Sequence, residues 1–164
     1  MVKNIIGCLV LAGAMLVSIT GFGQNTAAMQ KEKDERLLRS YFASKKINPS
    51  KTASGLYYLV TKKGSGENAK PGQRVSMKYL GTFLDGKKFD ANVDDNFNST
   101  HPFSFILGMG QVIKGWDEGV QLLSPGTRAT LYLPSGLAYG ESGRGPIPPN
   151  SVLVFDVELV SIDK

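Results

Sequence analysis

One segment near the carboxyl end, residues 136–159, places a glycine-flanked tyrosine, a run of prolines and an apolar strand in direct succession. Tyr139 is followed by Gly140, and Pro148-Pro149 stiffens the turn before the strand because each proline ring locks φ. The apolar side chains of the strand alternate and therefore share one face: Leu153, Phe155, Val157 and Leu159. This succession is suited to a hydrophobic pocket with one hydroxyl at its edge, and it favours a binding site over a site of covalent chemistry.

Two patterns of different period open the domain. Residues 28–46 carry apolar side chains at helical spacing among many charges, which predicts a short amphipathic helix; they are Leu37, Leu38, Tyr41 and Phe42. From residue 54 the period changes to two, and alternation predicts a strand over residues 56–60. The change of period suggests that the helix is an appendage to the domain that follows.

Further strands and one helix complete the predicted domain. Alternating apolar residues predict strands over 75–79, 103–107, 129–133 and 152–160. Asp85-Gly86 predicts a tight hairpin turn, and the polar residues 91–101 predict a surface loop. Residues 112–123 have helical spacing, and Pro125-Gly126 ends that helix. The sequence therefore predicts an α+β fold, in which one face of an antiparallel sheet is covered by a single short helix.

The first 23 residues have the layout of a secretory signal. A positive charge comes first, residues 5–22 form an uncharged and mostly apolar run, and the small residues Gly21 and Gly23 precede a predicted cut before Gln24. The same run is just long enough to serve as an uncleaved membrane anchor, which is the alternative. Cys8 resembles the cysteine of a lipoprotein box, but the apolar run before it is too short, so lipidation is the less favoured interpretation.

The rest of the chain offers few chemical options. Residues 24–164 contain no cysteine, which excludes disulfides, thiolate metal sites and thiol catalysis. His101 is the only histidine, and a lone histidine beside a proline does not predict a metal site. The formal net charge is +5, but the basic residues are spread along the chain, so binding to nucleic acid has little support. No metal ion and no other cofactor is expected.

Five blocks of sequence stand in a distinctive order: Lys78–Gly81, Asp85–Asp90, Gln111–Gly119, Ala138–Gly140 and Ile147–Phe155. In order and approximate spacing they resemble the FKBP-type peptidyl-prolyl cis-trans isomerases. The resemblance covers roughly residues 64–162, and residues 28–60 are similar to the amino-terminal extension of secreted bacterial members. It implies a twisted antiparallel sheet half-wrapped around one short α-helix.

The resemblance also implies a division of the chain. Residues 1–23 would be the signal peptide, and residues 24–63 an extension that holds the amphipathic helix and the first strand. Residues 64–164 would be the isomerase domain.

The resemblance further implies an activity, with a role for each site residue. Members accelerate rotation about Xaa-Pro bonds without covalent chemistry, because a pocket that binds the twisted amide better than the planar forms lowers the barrier. Trp116 would form the pocket floor, while the Tyr139 hydroxyl and the Ile113 N–H would donate to substrate carbonyls. Asp90 would polarise or orient the amide. The other implied substrate contacts are Tyr79, Phe89, Phe103, Val112, Ile147 and Phe155.

The implied partners are proline-containing segments of exported proteins, met in the periplasm or cell envelope, and the macrolide inhibitors of the family. Contact with a membrane is expected only if the leader is retained. The alternative to an enzyme is a non-catalytic module or chaperone, in which the same pocket only holds proline-containing segments.

The sequence departs from the family pattern in two loops. Residues 91–101 lack the arginine that often pairs with the aspartate at the position of Asp90, and they form a longer loop, so the partner of Asp90 is open. The loop from Tyr139 to Ile147 is shorter and carries Arg144. We expect this second departure to bear on the preference for the residue before proline.

The leader generates a direct prediction. Because small residues end the apolar run, the exported protein should begin near Gln24. Intact-mass spectrometry of the protein recovered from the producing cell will show loss of the leader. A mass that still includes residues 5–22 would establish the membrane anchor instead.

Overall fold

The structure, a computed structural model, describes residues 21–99 and 101–163. The predicted signal and the alternative anchor lie almost entirely outside this part of the chain. Within the described residues, no helix combines the length and the apolar character needed to cross a membrane.

A single antiparallel sheet of seven strands organises the described chain. The strands are β1 Ser50–Lys51, β2 Tyr57–Lys62, β3 Arg74–Phe83, β4 Lys88–Ala91, β5 Phe103–Ile106, β6 Arg128–Leu133 and β7 Leu153–Asp163. Their order across the sheet is β1-β2-β6-β7-β3-β4, and β5 pairs with the first part of β3. The longest pairing joins β3 to β7, from Arg74 opposite Asp163 to Phe83 opposite Leu153. These two strands carry most of the side chains that reach the candidate site.

One short helix covers one face of the sheet, as the sequence predicts. Helix α2 runs from Lys114 to Gly119 and continues as a 3₁₀ turn over Val120–Leu122. It is shorter than the predicted 112–123, because the backbone of Ile113 is extended (φ −64°, ψ 151°) and the helix begins only after it. The α+β class is therefore confirmed.

Two glycines bring α2 into close contact with β6. A Cβ atom on Gly115 would lie 2.4 Å from Leu133 Cδ2, and one on Gly119 would lie 2.8 Å from Leu131 Cδ1. Any larger residue at Gly115 would push the helix away from the sheet, since both facing leucines are fully buried. The same core is completed by buried residues of β3 and β7: Val75, Met77, Leu153, Phe155, Val157 and Leu159.

Helix α1 covers part of the opposite face and is not a free appendage. It runs over Gly21–Lys45, so it begins earlier than the predicted residue 28. Leu38 is fully buried and Phe42 nearly so, in a cluster with Tyr57, Tyr132 and Val154. The Phe42 ring lies 5.0 Å from the ring centroids of both tyrosines. Neighbouring residues of one strand point to opposite faces, so Tyr132 meets α1 while Leu131 and Leu133 meet α2.

A buried carboxylate ties α1 to the chain 101 residues away. Asp34 is fully buried, and its Oδ2 accepts hydrogen bonds from the Ser135 N–H (2.8 Å) and the Ser135 hydroxyl (2.6 Å). Its Oδ1 accepts from the Gln30 side-chain amide at 2.7 Å. Ser135 opens the 3₁₀ turn Ser135–Leu137, so Asp34 fixes the start of the loop that leads to Tyr139.

The sheet passes through the boundary predicted between residues 63 and 64. Strand β2, in the predicted extension, pairs with β6 from Tyr57 opposite Tyr132 to Lys62 opposite Arg128. Leu56, just before β2, also belongs to the core cluster under α2. The extension and the predicted isomerase domain therefore share one sheet and one core, while the division itself stays a prediction.

The buried carboxylate leads to a stability prediction. Asp34→Ala should lower the free energy of unfolding by about 1–3 kcal/mol, because the Ser135 N–H and hydroxyl lose their acceptor while buried. Urea unfolding with a fixed m-value measures the change.

Glu32→Ala is the matched control for that variant. Glu32 lies on the same helix and pairs with Arg36 at 2.9 Å, but both side chains are exposed, so the change should stay within about 0.5 kcal/mol. Equal losses in the two variants would contradict the role given to Asp34.

Candidate functional site

A cavity of about 480 Å³ opens between α2, the central strands and the loops at one end of the sheet. Its lining residues are Tyr79, Asp90, Phe103, Gly110, Gln111, Val112, Ile113, Trp116, Tyr139, Arg144 and Phe155. The strands β3, β4, β5 and β7 each supply one side chain, and the rest come from α2 and two loops. The cavity therefore assembles residues from almost the whole length of the domain.

Trp116 forms the floor of the cavity. Only 4% of this residue is exposed, and other aromatic rings surround its indole. Tyr79 and Phe155 meet it edge to face, with ring centroids at 5.3 Å and 5.4 Å, and Phe103 lies at 6.2 Å. Edge-to-face contacts of this kind favour a rigid arrangement, because each ring sets the orientation of the next. The result is an apolar box of fixed shape that suits a small, flat, non-polar ring.

The loop before α2, residues 107–113, is fixed by hydrogen bonds to a side chain of that helix. Asp117 Oδ1 accepts from the Gly108 N–H and Oδ2 from the Gly110 N–H, both at 2.9 Å. Gln111 Oε1 accepts from the Ile106 N–H at the end of β5. No described residue accepts a hydrogen bond from the Ile113 N–H, which lies next in this loop. A backbone donor is thus free at the edge of the cavity.

Tyr79 supplies the partner of Asp90 that the sequence left open. Its hydroxyl donates to Asp90 Oδ2 at 2.9 Å. The pKa of Tyr79 is raised to about 12, first by burial and then by the hydrogen bond to Asp90 and the negative charge of that carboxylate. The carboxylate is exposed to solvent on its other side, so it is oriented by one bond and otherwise accessible.

The loop that follows Asp90 is fastened to the sheet by side chains. Asn92 Oδ1 accepts from the Tyr79 N–H at 2.8 Å, and its Nδ2 donates to the Met77 carbonyl at 2.9 Å. Further along, Phe97 is 9% exposed and lies under the Arg128 guanidinium, 3.5 Å from its ring centroid. The predicted surface loop is therefore anchored at both points, which fixes the strand end that carries Asp90.

Tyr139 lies at the other side of the cavity mouth and keeps its hydroxyl free. The residue is half-buried, and no described residue forms a hydrogen bond with the hydroxyl. The guanidinium carbon of Arg144 lies 5.7 Å from the Tyr139 ring centroid. Ile113 and Tyr139 therefore present to one cavity two donors that have no partner among the described residues.

Eight of the ten predicted site residues line this cavity, and Phe89 and Ile147 do not. Phe89 lies behind the wall, with its ring 5.5 Å from that of Phe155 and packed over Gly81. Ile147 is buried, and its backbone exchanges two hydrogen bonds of 2.9 Å with Arg144. Both residues shape groups that face the cavity, and the roles of all ten in binding or catalysis stay predictions.

Three lining residues were not among the predicted site residues: Gly110, Gln111 and Arg144. Gln111 opens the block Gln111–Gly119, so that block was the available signal for it. Arg144 stood out in the sequence only as a departure in its loop. Nothing in its spacing indicated that its side chain reaches the cavity.

The geometry defines a class of protein. The cavity offers an aromatic floor, two free donors and one oriented carboxylate, and it contains no serine, cysteine, histidine or lysine among its lining residues. Within the described ranges, no group of three or more His, Cys, Asp or Glu side chains is placed to hold a metal ion. Such a site is suited to an apolar ring flanked by carbonyl groups, which is the chemistry of a proline within a peptide.

Comparison with known families gives the same class. Residues 65–160 match the model of the FKBP-type peptidyl-prolyl cis-trans isomerases. The chain belongs to this family, and the predicted FKBP-like fold is confirmed.

The relatives extend the match beyond the domain. The chain is 47% identical over 135 residues to an FKBP-type isomerase, FkpA, of Aeromonas hydrophila, covering 82% of this chain and 47% of the relative. It is 52% identical over 95 residues to the isomerase Fkbp12 of Drosophila melanogaster, covering 57% and 84%. The chain thus spans about half the length of the FkpA relatives it matches.

Two solved structures are similar to most of the described fold. FkpA from Escherichia coli has a TM-score of 0.68 at 36% identity, covering 85% of this chain and 62% of that one. AtFKBP13 has a TM-score of 0.64 at 36% identity, covering 71% and 99%.

The pair Tyr79 and Asp90 leads to a prediction on titration. Unfolded tyrosine has a pKa near 10, and the pKa of Tyr79 in the fold is about 12. Since the folded pKa is the higher one, the stability that Tyr79 contributes is fully present below pH 10 and is lost as pH rises through 12. NMR of ¹³Cζ-labelled tyrosine, assigned with Tyr79→Phe, measures this pKa.

Asp90→Asn separates the two causes of that shift. The pKa of Tyr79 should fall but stay above 10, because burial is the larger cause and is unchanged by the substitution. A pKa near 10 in the unsubstituted protein, or one unmoved by Asp90→Asn, would contradict the pairing.

Proposed function

We propose that this protein catalyses cis-trans isomerisation of Xaa-Pro peptide bonds. The observation that carries the proposal is the cavity over Trp116, at whose mouth the Ile113 N–H and the Tyr139 hydroxyl have no partner among the described residues. Membership of the isomerase family supports the same activity.

The physical demand on such a catalyst is modest. Rotation about a peptide bond has a barrier of about 18–20 kcal/mol, because amide resonance is lost as the C–N bond twists. Shortening a step of tens of seconds to milliseconds requires a preference of roughly 6 kcal/mol for the twisted amide over the planar forms. Differential binding alone can supply this preference.

Each group has a distinct part in the proposed mechanism. The proline ring is held over Trp116 and against Phe155, two side chains that are almost fully buried. The Ile113 N–H and the Tyr139 hydroxyl donate to the substrate carbonyls on the two sides of the ring. Asp90, oriented by Tyr79, presents negative charge to the amide as its electrons redistribute. No proton is transferred and no covalent bond is made.

We further propose that the clients are exported proteins and that the protein acts in the periplasm or cell envelope. The support is the leader pattern of residues 1–23, with its early positive charge, apolar run and small residues before Gln24. Macrolide inhibitors of the family are proposed as ligands of the same cavity, because they too would occupy the apolar box over Trp116.

An isomerisation assay on a proline tetrapeptide tests the activity, and Tyr139→Phe tests the site. The substitution should lower kcat/KM about 2- to 12-fold, since a net hydrogen bond contributes about 0.5–1.5 kcal/mol. Tm should stay nearly constant, because the hydroxyl has no partner among the described residues. Without proton transfer, the rate should also be flat across neutral pH.

Tyr58→Phe is the control, because Tyr58 is a half-buried tyrosine that packs on the same core and does not line the cavity. It should leave kcat/KM unchanged. If the peptide binds but its cis-trans isomerisation is not accelerated, the protein is a non-catalytic binding module and not an enzyme. A large fall of Tm in Tyr139→Phe would make Tyr139 a structural residue.

A further inference from the structure

A cation stands at the mouth of the cavity, over the ring of Tyr139, and forms no ion pair with any described residue. Arg144 lines the cavity together with Asp90, and these two are the charged residues of the lining. Asp90 is already held by the Tyr79 hydroxyl. Among the described residues, Arg144 takes part in none of the ion pairs. The positive charge is therefore available to a molecule that enters the cavity.

The backbone under Arg144 is fixed, although its side chain is exposed. Arg144 and Ile147 exchange two backbone hydrogen bonds of 2.9 Å. Gly143 and Gly145 on either side have φ of 63° and 53°, conformations that glycine adopts without strain. A Cβ on Gly143 would lie only 2.4 Å from the Ile147 carbonyl oxygen, so the loop closes tightly there. A long side chain thus starts from a defined point above Tyr139.

The nearest acidic residue of the loop faces elsewhere. Glu141, three positions before Arg144, lines a different cleft of about 280 Å³ between α1 and the 3₁₀ turn that begins at Ser135. It does not line the cavity that contains Tyr139. The loop therefore separates its two charges, and only the positive one faces the candidate site.

We propose that Arg144 gives the enzyme a preference for segments with a glutamate or aspartate close to the proline. This inference rests on the proposed isomerase function. A guanidinium binds a carboxylate through two parallel N–H donors, a geometry that a lysine does not offer. One extended residue spans about 3.3–3.6 Å, so a carboxylate within two residues of the bound ring can reach a guanidinium stationed over Tyr139.

Matched peptides test the preference. They are identical except for Glu, Gln or Lys placed in turn at each of the two positions before and after proline. The readouts are kcat/KM from NMR exchange and Kd from the fluorescence of Trp116, which is the only tryptophan and forms the cavity floor. At one or more positions the peptide with Glu should have a kcat/KM about two- to fivefold higher than the peptide with Gln at low salt, as expected for an exposed ion pair. The peptide with Lys should have a lower kcat/KM than the peptide with Gln.

Variants and salt identify the cause. In the variant Arg144→Gln, the kcat/KM of the Glu peptide divided by that of the Gln peptide should be one. In the variant Arg144→Glu the same ratio should be below one, whatever the absolute rates are. Glu141→Gln, on the same loop, should keep the ratio. Raising the ionic strength from about 0.01 M to about 1 M, which shortens the Debye length from about 30 Å to about 3 Å, should remove most of the preference.

The outcomes are distinct for the inference and for the proposed function. A Glu to Gln ratio of one at every position, or a ratio that survives Arg144→Gln, overturns the role of Arg144. If no peptide is turned over faster than in buffer, the isomerase function fails. The Kd ratios then still decide whether Arg144 selects acidic segments.

Discussion

The close contact between α2 and β6 determines where the site can be. Gly115 and Gly119 have no side chains to separate the helix from Leu131 and Leu133, so the helix lies directly on the sheet. Trp116, between these glycines, therefore reaches the rings of Tyr79 on β3 and Phe155 on β7. A larger residue at Gly115 would move helix α2 away from strand β6, and the aromatic box would then be open to water.

In the proposed function, the aromatic box around Trp116 lets a small cavity discriminate between the twisted and planar forms of one peptide bond. Its apolar surfaces hold a ring, and its polar groups are few and oriented. The Asp90 carboxylate is fixed by the Tyr79 hydroxyl, while the Tyr139 hydroxyl and Ile113 N–H have no partner among the described residues. Groups already held in place need no reorganisation when the substrate twists, so their interaction energy can go into the transition state. The buried Trp116 N–H also lacks a partner among the described residues, and an unpaired buried donor has a local cost in free energy.

Local patterns predicted the fold well, because most of its strands alternate buried and exposed side chains and are bounded by clear turns. The hairpin at Asp85-Gly86 shows this, since Gly86 has φ of +86° as the turn requires. Helix α2 is shorter than predicted. The helical spacing of apolar residues includes Ile113, but the backbone of Ile113 is extended, which the spacing does not indicate. The contacts made by Leu38 and Asp34 depend on residues about 100 positions away, which no local period reports.

For the candidate site, the quoted blocks indicated the cavity residues, but their contacts came from tertiary structure. The hydrogen bond from Tyr79 to Asp90 joins two strands and gives Asp90 a partner, although residues 91–101 contain no arginine. Phe97 illustrates the limit further. It sits in a polar stretch with φ of +61°, where neither composition nor propensity predicts a buried aromatic, and it is held there by Arg128 on β6.

The helix before the sheet is connected to the site through the loop that carries Tyr139. Asp34 fixes Ser135 at the start of this loop, and the Asn150 N–H donates to the Gly140 carbonyl at 2.7 Å at its far side. Tyr139 therefore lies between two anchors, one on α1 and one at the entry to β7. Because differential binding needs donors at fixed positions, the precision of the Tyr139 hydroxyl depends on α1 as well as on the sheet. The hydrogen bonds between Asp34 and Ser135 therefore keep helix α1 against the sheet and help to position Tyr139.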